Sequence, residues 1–177
     1  MHLKFLRKCF VSATYKHIFI AKKNIMSFEE LYLRDGVWMN YFDLSPNEKL
    51  AVRQKKRELA NEIFTMLKGT IVNQVVDRQK KIEIHFTKKG INHFCNDAII
   101  TLSGRYLDEN SMKKIDEILS KAMYLPTPHT LSSSRNDGRI LWFVYIDADR
   151  RGVYFKVCWN KNLKVYEFYS VVNQLKK

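Results

Sequence analysis

The stretch ILWFVYIDADRRGVYFKVCWNKNLKVYEFYSVV, residues 140–172, decides the fold. Ile140 to Ile146 is an unbroken apolar run of one strand's length, as a central strand requires. The polar turn Ala148-Asp149-Arg150-Arg151-Gly152 separates it from Val153–Trp159, where Val153, Phe155, Val157 and Trp159 alternate onto one face. Asn160-Lys161-Asn162 then turns the chain into a third strand, Leu163–Val172. Links this short join antiparallel neighbours, so the C-terminal third is predicted as a meander.

Upstream of it the period changes from two to 3.6 residues. Ser45-Pro46-Asn47-Glu48 is a helix start: a capping serine, proline at the first helical position and a glutamate three residues after the cap. The helix is predicted to run to about Leu67, with Leu50, Leu59, Ile63, Phe64 and Leu67 apolar and Gly69 as the stop. Its basic middle, Arg53 to Arg57, reads as a solvated face, with a nucleic-acid-facing helix as the alternative. Ile71–Val76 is a short strand, and Lys81–Phe86 alternates with Ile82, Ile84 and Phe86 inward. Thr87 caps the next helix, whose stripe is Ile91, Phe94, Cys95, Ala98, Ile99 and Leu102, ended by Gly104. A further helix, Ser111 to Tyr124, buries Met112, Ile115, Ile118, Leu119, Ala122 and Met123 before Pro126 and Pro128 stop it. Residues 127–139 are a polar loop. Residues 27–44, aromatic-rich and with a turn at Asp35-Gly36, are a short helix and loop packed on the core. A run of helices followed by a run of strands is the α+β pattern: N-terminal helices on a C-terminal antiparallel meander.

The chain has 177 residues, 46% hydrophobic and 28% charged, which bounds it to one domain with a full core. Its net charge of +13 suits a polyanionic partner. Residues 1–25 carry six basic residues and no acid, and the remainder still carries +7. The composition changes sharply at Met26, so 1–25 reads as a basic extension or as a translated upstream stretch. Residues 26–68 form a helical N-terminal part and 69–177 an α+β core. No run approaches the roughly twenty apolar residues of a membrane span. Cys9, Cys95 and Cys158 stand alone, without zinc spacing, and fit a reducing, cytoplasmic setting. No nucleotide-binding loop, serine-hydrolase elbow or zinc-protease motif is present, and no acidic cluster suits two magnesium ions, so no metal or cofactor is expected.

Cleavage of RNA without a metal needs a base for the ribose 2′-hydroxyl, an acid for the leaving oxygen and cations on the phosphate. His93 falls just off the apolar stripe of its helix, at the solvent-facing edge, with Asp97 one turn later to orient it. Position alone leaves open that it is an ordinary surface histidine. His85, on the polar side of its strand, and His129, in the loop, rank after it. Arg135 and Arg139 flank the polar loop, and Arg150 and Arg151 share a turn; guanidinium groups suit phosphate. Tyr154, Tyr166, Tyr169 and Ser170 lie on the last two strands, where aromatics pack the sheet or stack unpaired bases. Lys88, Lys89, Arg105, Arg150, Arg151 and Tyr154 are the expected nucleic-acid contacts.

From about Ala60 onward, two-thirds of the chain resembles the barnase–EndoU–colicin–RelE-like nuclease superfamily, in the form found in phage, conjugative elements and polyvalent proteins. The resemblance lies in a helix ending Leu67-Lys68-Gly69, the strand IEIHFTKKG (Ile82 to Gly90), His93 just inside the next helix, and a closing sheet ending YEFYS (Tyr166 to Ser170). It implies a metal-independent ribonuclease of a toxin or mobile element. His93 would be the acid/base, Arg135 or Arg139 the phosphate cation, and Ser170 the hydroxyl near the end of the last strand. RNA and an inhibitor protein are the implied partners. The alternative is a non-catalytic nucleic-acid-binding or accessory module of the same fold.

Overall fold

The structure, a computed structural model, describes residues 27–76, 80–126, 140–146 and 151–175. The chain begins with a short helix, α1 (Phe28–Tyr32), capped by Ser27, and a two-strand hairpin, β1 (Leu33–Arg34) and β2 (Val37–Trp38). The hairpin turns at Asp35 and Gly36, whose φ angles of 49° and 78° suit the Asp-Gly pair. A 3₁₀ turn at Tyr41–Asp43 leads into α2 (Pro46–Leu67). Ser45 Oγ accepts from the Glu48 amide, and Glu48 Oε2 accepts from the Ser45 amide at 2.8 Å, closing the capping box expected from the sequence.

Two details of α2 correct the sequence reading. Leu50 is 66% exposed, because the buried stripe runs instead through Val52, Leu59, Ala60, Ile63 and Leu67. Lys55, three residues after Val52 and four before Leu59, falls on that same stripe. It is buried, its ammonium lies 2.7 Å from Glu109 Oε1, and it stands 6.0 Å from the centre of the Phe28 ring. The basic run is thus not wholly solvated.

Strands β3 (Ile71–Val76) and β4 (Lys80–His85) pair antiparallel. Helix α3 (Lys88–Cys95) follows, with Thr87 Oγ1 accepting from the Gly90 amide at its start. The predicted single helix changes pitch after Cys95: Asn96–Thr101 is π-helical, with the Leu102 amide bonded to the Asp97 carbonyl at 2.8 Å. Ser103 and Gly104, both left-handed, end it.

The predicted helix from Ser111 to Tyr124 is two helices and a strand. Helix α4 (Glu109–Lys113), capped by Asp108, breaks at Lys114 (φ −103°, ψ 27°), and α5 (Ile115–Lys121) follows. Residues Met123–Leu125 leave the helix as β5 to pair with β6 (Ile140–Ile146), which satisfies their backbone groups and leaves Met123 exposed. The meander is completed by β7 (Gly152–Asn160) and β8 (Val165–Val172), as expected.

The six strands are ordered β3-β4-β8-β7-β6-β5, all neighbours antiparallel except β4 and β8, which pair in parallel through Ile84–Tyr166 and His85–Glu167. The sheet curls until its edge strands touch. Gln74 of β3 donates to the Ala122 carbonyl at 3.2 Å, just ahead of β5. One face, bearing Ile84, Leu141, Phe143, Phe155, Val157 and Phe168, joins the helices in a continuous core. The opposite face carries Trp142, Tyr154, Lys156, Cys158 and Glu167, outside that core. The architecture is α+β, as the sequence order implied. Among the described residues, no helix is long and apolar enough to cross a membrane.

Candidate active site

Two irregularities bring His93 onto the outer face. First, β4 pairs with β8 only as far as Glu167, and α3 docks along the strand edge beyond it. Gly90 permits this: a Cβ there would overlap the Phe168 carbonyl oxygen. Phe94 then packs on Phe168 on the core side (ring centres 5.1 Å apart), while His93, one position earlier, reaches the other side. Second, β8 carries a bulge. Val157 opposes Phe168 and Lys156 opposes Ser170, so Tyr169 is the extra residue. A bulge of this kind re-aims a side chain, and Tyr169 meets His93.

The imidazole and phenol rings stack at 4.3 Å with 25° between planes, and Tyr169 Oη lies 3.0 Å from His93 Nε2. Two ammonium groups flank the phenol. Lys156 Nζ is 5.5 Å and Lys89 Nζ 5.9 Å from the ring centre. Burial pushes the Tyr169 hydroxyl above its ordinary pKa, as do the nearby Cys158, Glu167 and Asp97. The phenol therefore keeps its proton, and the direction of its hydrogen bond with His93 Nε2 follows the imidazole tautomer.

Asp97, in the π-helical turn, lies behind this pair. Burial raises its pKa, against the opposing effects of hydrogen bonds from Asn96 and Ser170 and the charges of His93 and Lys156. Glu167 is buried and tied down: it accepts from Thr87 Oγ1 at 2.8 Å and from Asn160 Nδ2 at 3.1 Å, which clamps the start of α3 to β8.

Of the residues singled out from sequence, His93, Asp97, Lys89, Tyr169 and Ser170 come together. Ser170 is buried, 5% exposed, and serves the Asp97 carboxylate. Tyr154 shares the outer face of β7 with Lys156, two residues away, and Lys88 is exposed in the first turn of α3. Arg105 and Arg151 line a different cleft, near α1. Arg135, Arg139, Arg150 and His129 lie outside the described residues. His85 is 3.9 Å from Glu83 and opposes Glu167 across the parallel pair. Cys95 is buried in the core and its thiol is pushed up to about 12. Among the described residues, no group of three His, Cys, Asp or Glu side chains could hold a metal ion.

Sequence reasoning missed Lys156 and the pairing of Tyr169 with His93. The signal was present in β8: its core residues Phe168 and Val171 are three apart rather than two, which marks a bulge. No family model, no curated protein and no solved structure matches this chain.

Proposed function

We propose that this chain is an endoribonuclease that works without a metal, in a toxin or mobile-element system, with His93 and Tyr169 as its acid–base pair. The observation that carries the reading is the 3.0 Å contact between His93 Nε2 and Tyr169 Oη, flanked by Lys89 and Lys156. A phosphodiester lying across the polar edges of the two rings, beside Nε2 and Oη, would meet a base, an acid and two cations. His93 Nε2 takes the proton of the 2′-hydroxyl as its oxygen bonds to phosphorus. The bond from phosphorus to the 5′-oxygen breaks, and Tyr169 gives that oxygen its proton. The phenolate is held by the lysines until the imidazolium returns a proton to it. The products are a 2′,3′-cyclic phosphate and a 5′-hydroxyl.

A second reading is supported by the outer face itself, where Tyr154, Lys156 and Tyr169 offer stacking and charge without any need for chemistry. One assay separates the two. Purified protein is incubated with single-stranded RNA in EDTA, beside His93→Ala. Cleavage that His93→Ala stops, with binding retained and DNA left intact, supports the enzyme. Salt-sensitive binding with no cleavage by either protein rejects it in favour of the binding module.

A further inference from the structure

The π-helical segment Asn96–Thr101 ends with its amides and carbonyls out of ordinary step. The amides that follow it bond past Ile99: Leu102 to the Asp97 carbonyl at 2.8 Å, Gly104 to the Ala98 carbonyl at 2.9 Å and Arg105 to the Leu102 carbonyl at 3.1 Å. The Ile99 carbonyl takes instead the hydroxyl of Tyr32, 67 residues earlier in the chain, at 2.6 Å. A buried carbonyl needs a donor. This one comes from a side chain, so the segment keeps its wide pitch without leaving the carbonyl unmatched.

Tyr32 is well fixed for this role. It is fully buried, and its ring stacks on Trp38 at 6.4 Å with 13° between planes. Burial, with Tyr41 nearby, pushes its hydroxyl well above the ordinary pKa, so it keeps the proton it donates. Neighbouring contacts fasten the same stretch. The Trp38 indole donates to the Ser103 carbonyl at 2.7 Å, and Ser103 Oγ accepts from the Tyr41 amide at 3.1 Å. Phe28 lies so near Gly104 that a Cβ there would come within 3.0 Å of its ring. Residues 28–41 thus hold the far end of the segment whose first turn carries Asp97. Around Asp97 stand His93 and Asn96 on its own helix, Ser170 and Tyr169 on β8 and Lys156 on β7.

We propose that Tyr32 is a positioning residue: by occupying the Ile99 carbonyl it holds the π-helical turn that sets Asp97 beside His93 and Ser170. Without the hydroxyl, the Ile99 carbonyl is matched by tightening the segment to α pitch, with the Ser103 amide, four residues on, as its donor. Tightening removes the extra residue from the turn and rotates Asp97 out of its half-buried place. The N-terminal residues, which touch neither ring of the His93 and Tyr169 pair, thereby act on it at one remove. That Asp97 serves RNA cleavage rests on the ribonuclease reading; the hold of Tyr32 on Asp97 does not.

Tyr32→Phe deletes the hydroxyl and keeps the ring with its stack on Trp38. The readout is the carbon-13 NMR titration of the Asp97 carboxyl in the full chain. In the parent, burial holds this carboxyl above the ordinary carboxylate range; in Tyr32→Phe it is expected to fall toward the ordinary value of about 4. Trp38→Phe removes the indole donor at the end of the same segment and should move the titration the same way, which keeps the test decisive if Tyr32→Phe folds poorly. Ser45→Ala weakens the protein at the cap of α2 instead and should leave the titration in place. With RNA, Tyr32→Phe should lower kcat by about tenfold or more at little change in KM, and should add no further loss to Asp97→Asn. A titration unmoved in both Tyr32→Phe and Trp38→Phe, or moved equally by Ser45→Ala, would overturn the proposal. If the titration moves as expected and the parent does not cleave RNA, Tyr32 still holds Asp97 and the ribonuclease reading falls. If RNA is cleaved in EDTA while the titration stays put, the role of Tyr32 falls and the ribonuclease reading stands.

Discussion

Gly90 lies against the backbone of Phe168 so closely that a Cβ built on it would overlap the Phe168 carbonyl oxygen and come within 3.2 Å of its carbonyl carbon. The obstacle is backbone, which cannot swing aside as a side chain can. Gly90→Ala therefore pushes α3 off the edge of β8. Alanine is the better helix former by about 1 kcal/mol, yet the clash should dominate and destabilise the protein by about 1–3 kcal/mol. Urea unfolding measures it. A variant as stable as the parent would show that the helix does not dock so closely.

How far the sequence announced this arrangement differs by element. Helix α2 was legible because Ser45, Pro46 and Glu48 carry local chemistry that needs no tertiary partner. The meander was legible because short links leave only one way to pair. The parallel contact of β4 with β8 was not, since no turn joins these strands and only packing chooses the partner. The same limit hid the pairing of Tyr169 with His93. His93 was visible as a polar residue at the edge of an apolar stripe, but its partner depends on a bulge 76 residues away. Lys55 was misread because charge was weighed above its place on the stripe of α2.

Asp97 gives a pH-dependent prediction. Burial holds its carboxyl above the ordinary carboxylate range. The folded protein thus binds a proton where the unfolded chain has released one. The stability present below the unfolded value, about 4, is lost as pH rises through the raised folded value. Above that raised folded value the ionised carboxylate is a burden, and Asp97→Asn should raise the urea midpoint at pH 7 relative to the parent while the gap closes on acidification toward pH 4. RNA cleavage should fall in the same variant, because the carboxylate beside His93 is gone. A lower midpoint at pH 7 would show that the contacts of Asp97 with Asn96, Ser170 and His93 outweigh its burial.

The pair of Lys55 and Glu109 joins α2 to α4 at 2.7 Å, with the lysine side chain 7% and the glutamate 27% exposed. Lys55→Ala strands the carboxylate and opens space beneath Phe28. The expected loss is about 2–3 kcal/mol, below that of a fully buried pair because Glu109 keeps access to water. Lys55→Met with Glu109→Gln removes both charges while filling the volume, and should recover most of that loss. A double-mutant cycle by chemical denaturation gives the coupling. A coupling near zero would mean that the lysine acts by its hydrocarbon stem alone.

Ser45→Ala isolates the cap of α2. The hydroxyl accepts from the Glu48 amide, and the glutamate, bonded to both Ser45 and Arg34, is held down at about 2. Removing the hydroxyl should cost about 1 kcal/mol at neutral pH. The carboxylate's own contribution is present above the unfolded value and fades as pH falls toward about 2. Glu48→Ala should therefore be destabilising at pH 7 and nearly silent at pH 2, read by thermal unfolding across that interval. A penalty of equal size at both ends would assign the effect to helix propensity rather than to the charge.

Tyr169→Phe asks whether the phenol does chemistry or only holds the imidazole. Phenylalanine keeps the ring, and so keeps the stack on His93 and the contact with Lys89 and Lys156, while deleting the hydroxyl. If Tyr169 protonates the leaving oxygen, single-turnover cleavage should drop by about a hundredfold or more with RNA affinity unchanged. Lys156→Gln should act differently: it removes one cation from the phosphate, so affinity falls and the slope of log K against log salt shrinks by about one. Fluorescence anisotropy over a salt series, run beside the cleavage assay, separates the two effects. A Tyr169→Phe protein that cleaves at the parent rate would leave the hydroxyl as a hydrogen bond that merely orients His93, and would send the search for the proton donor to the two lysines.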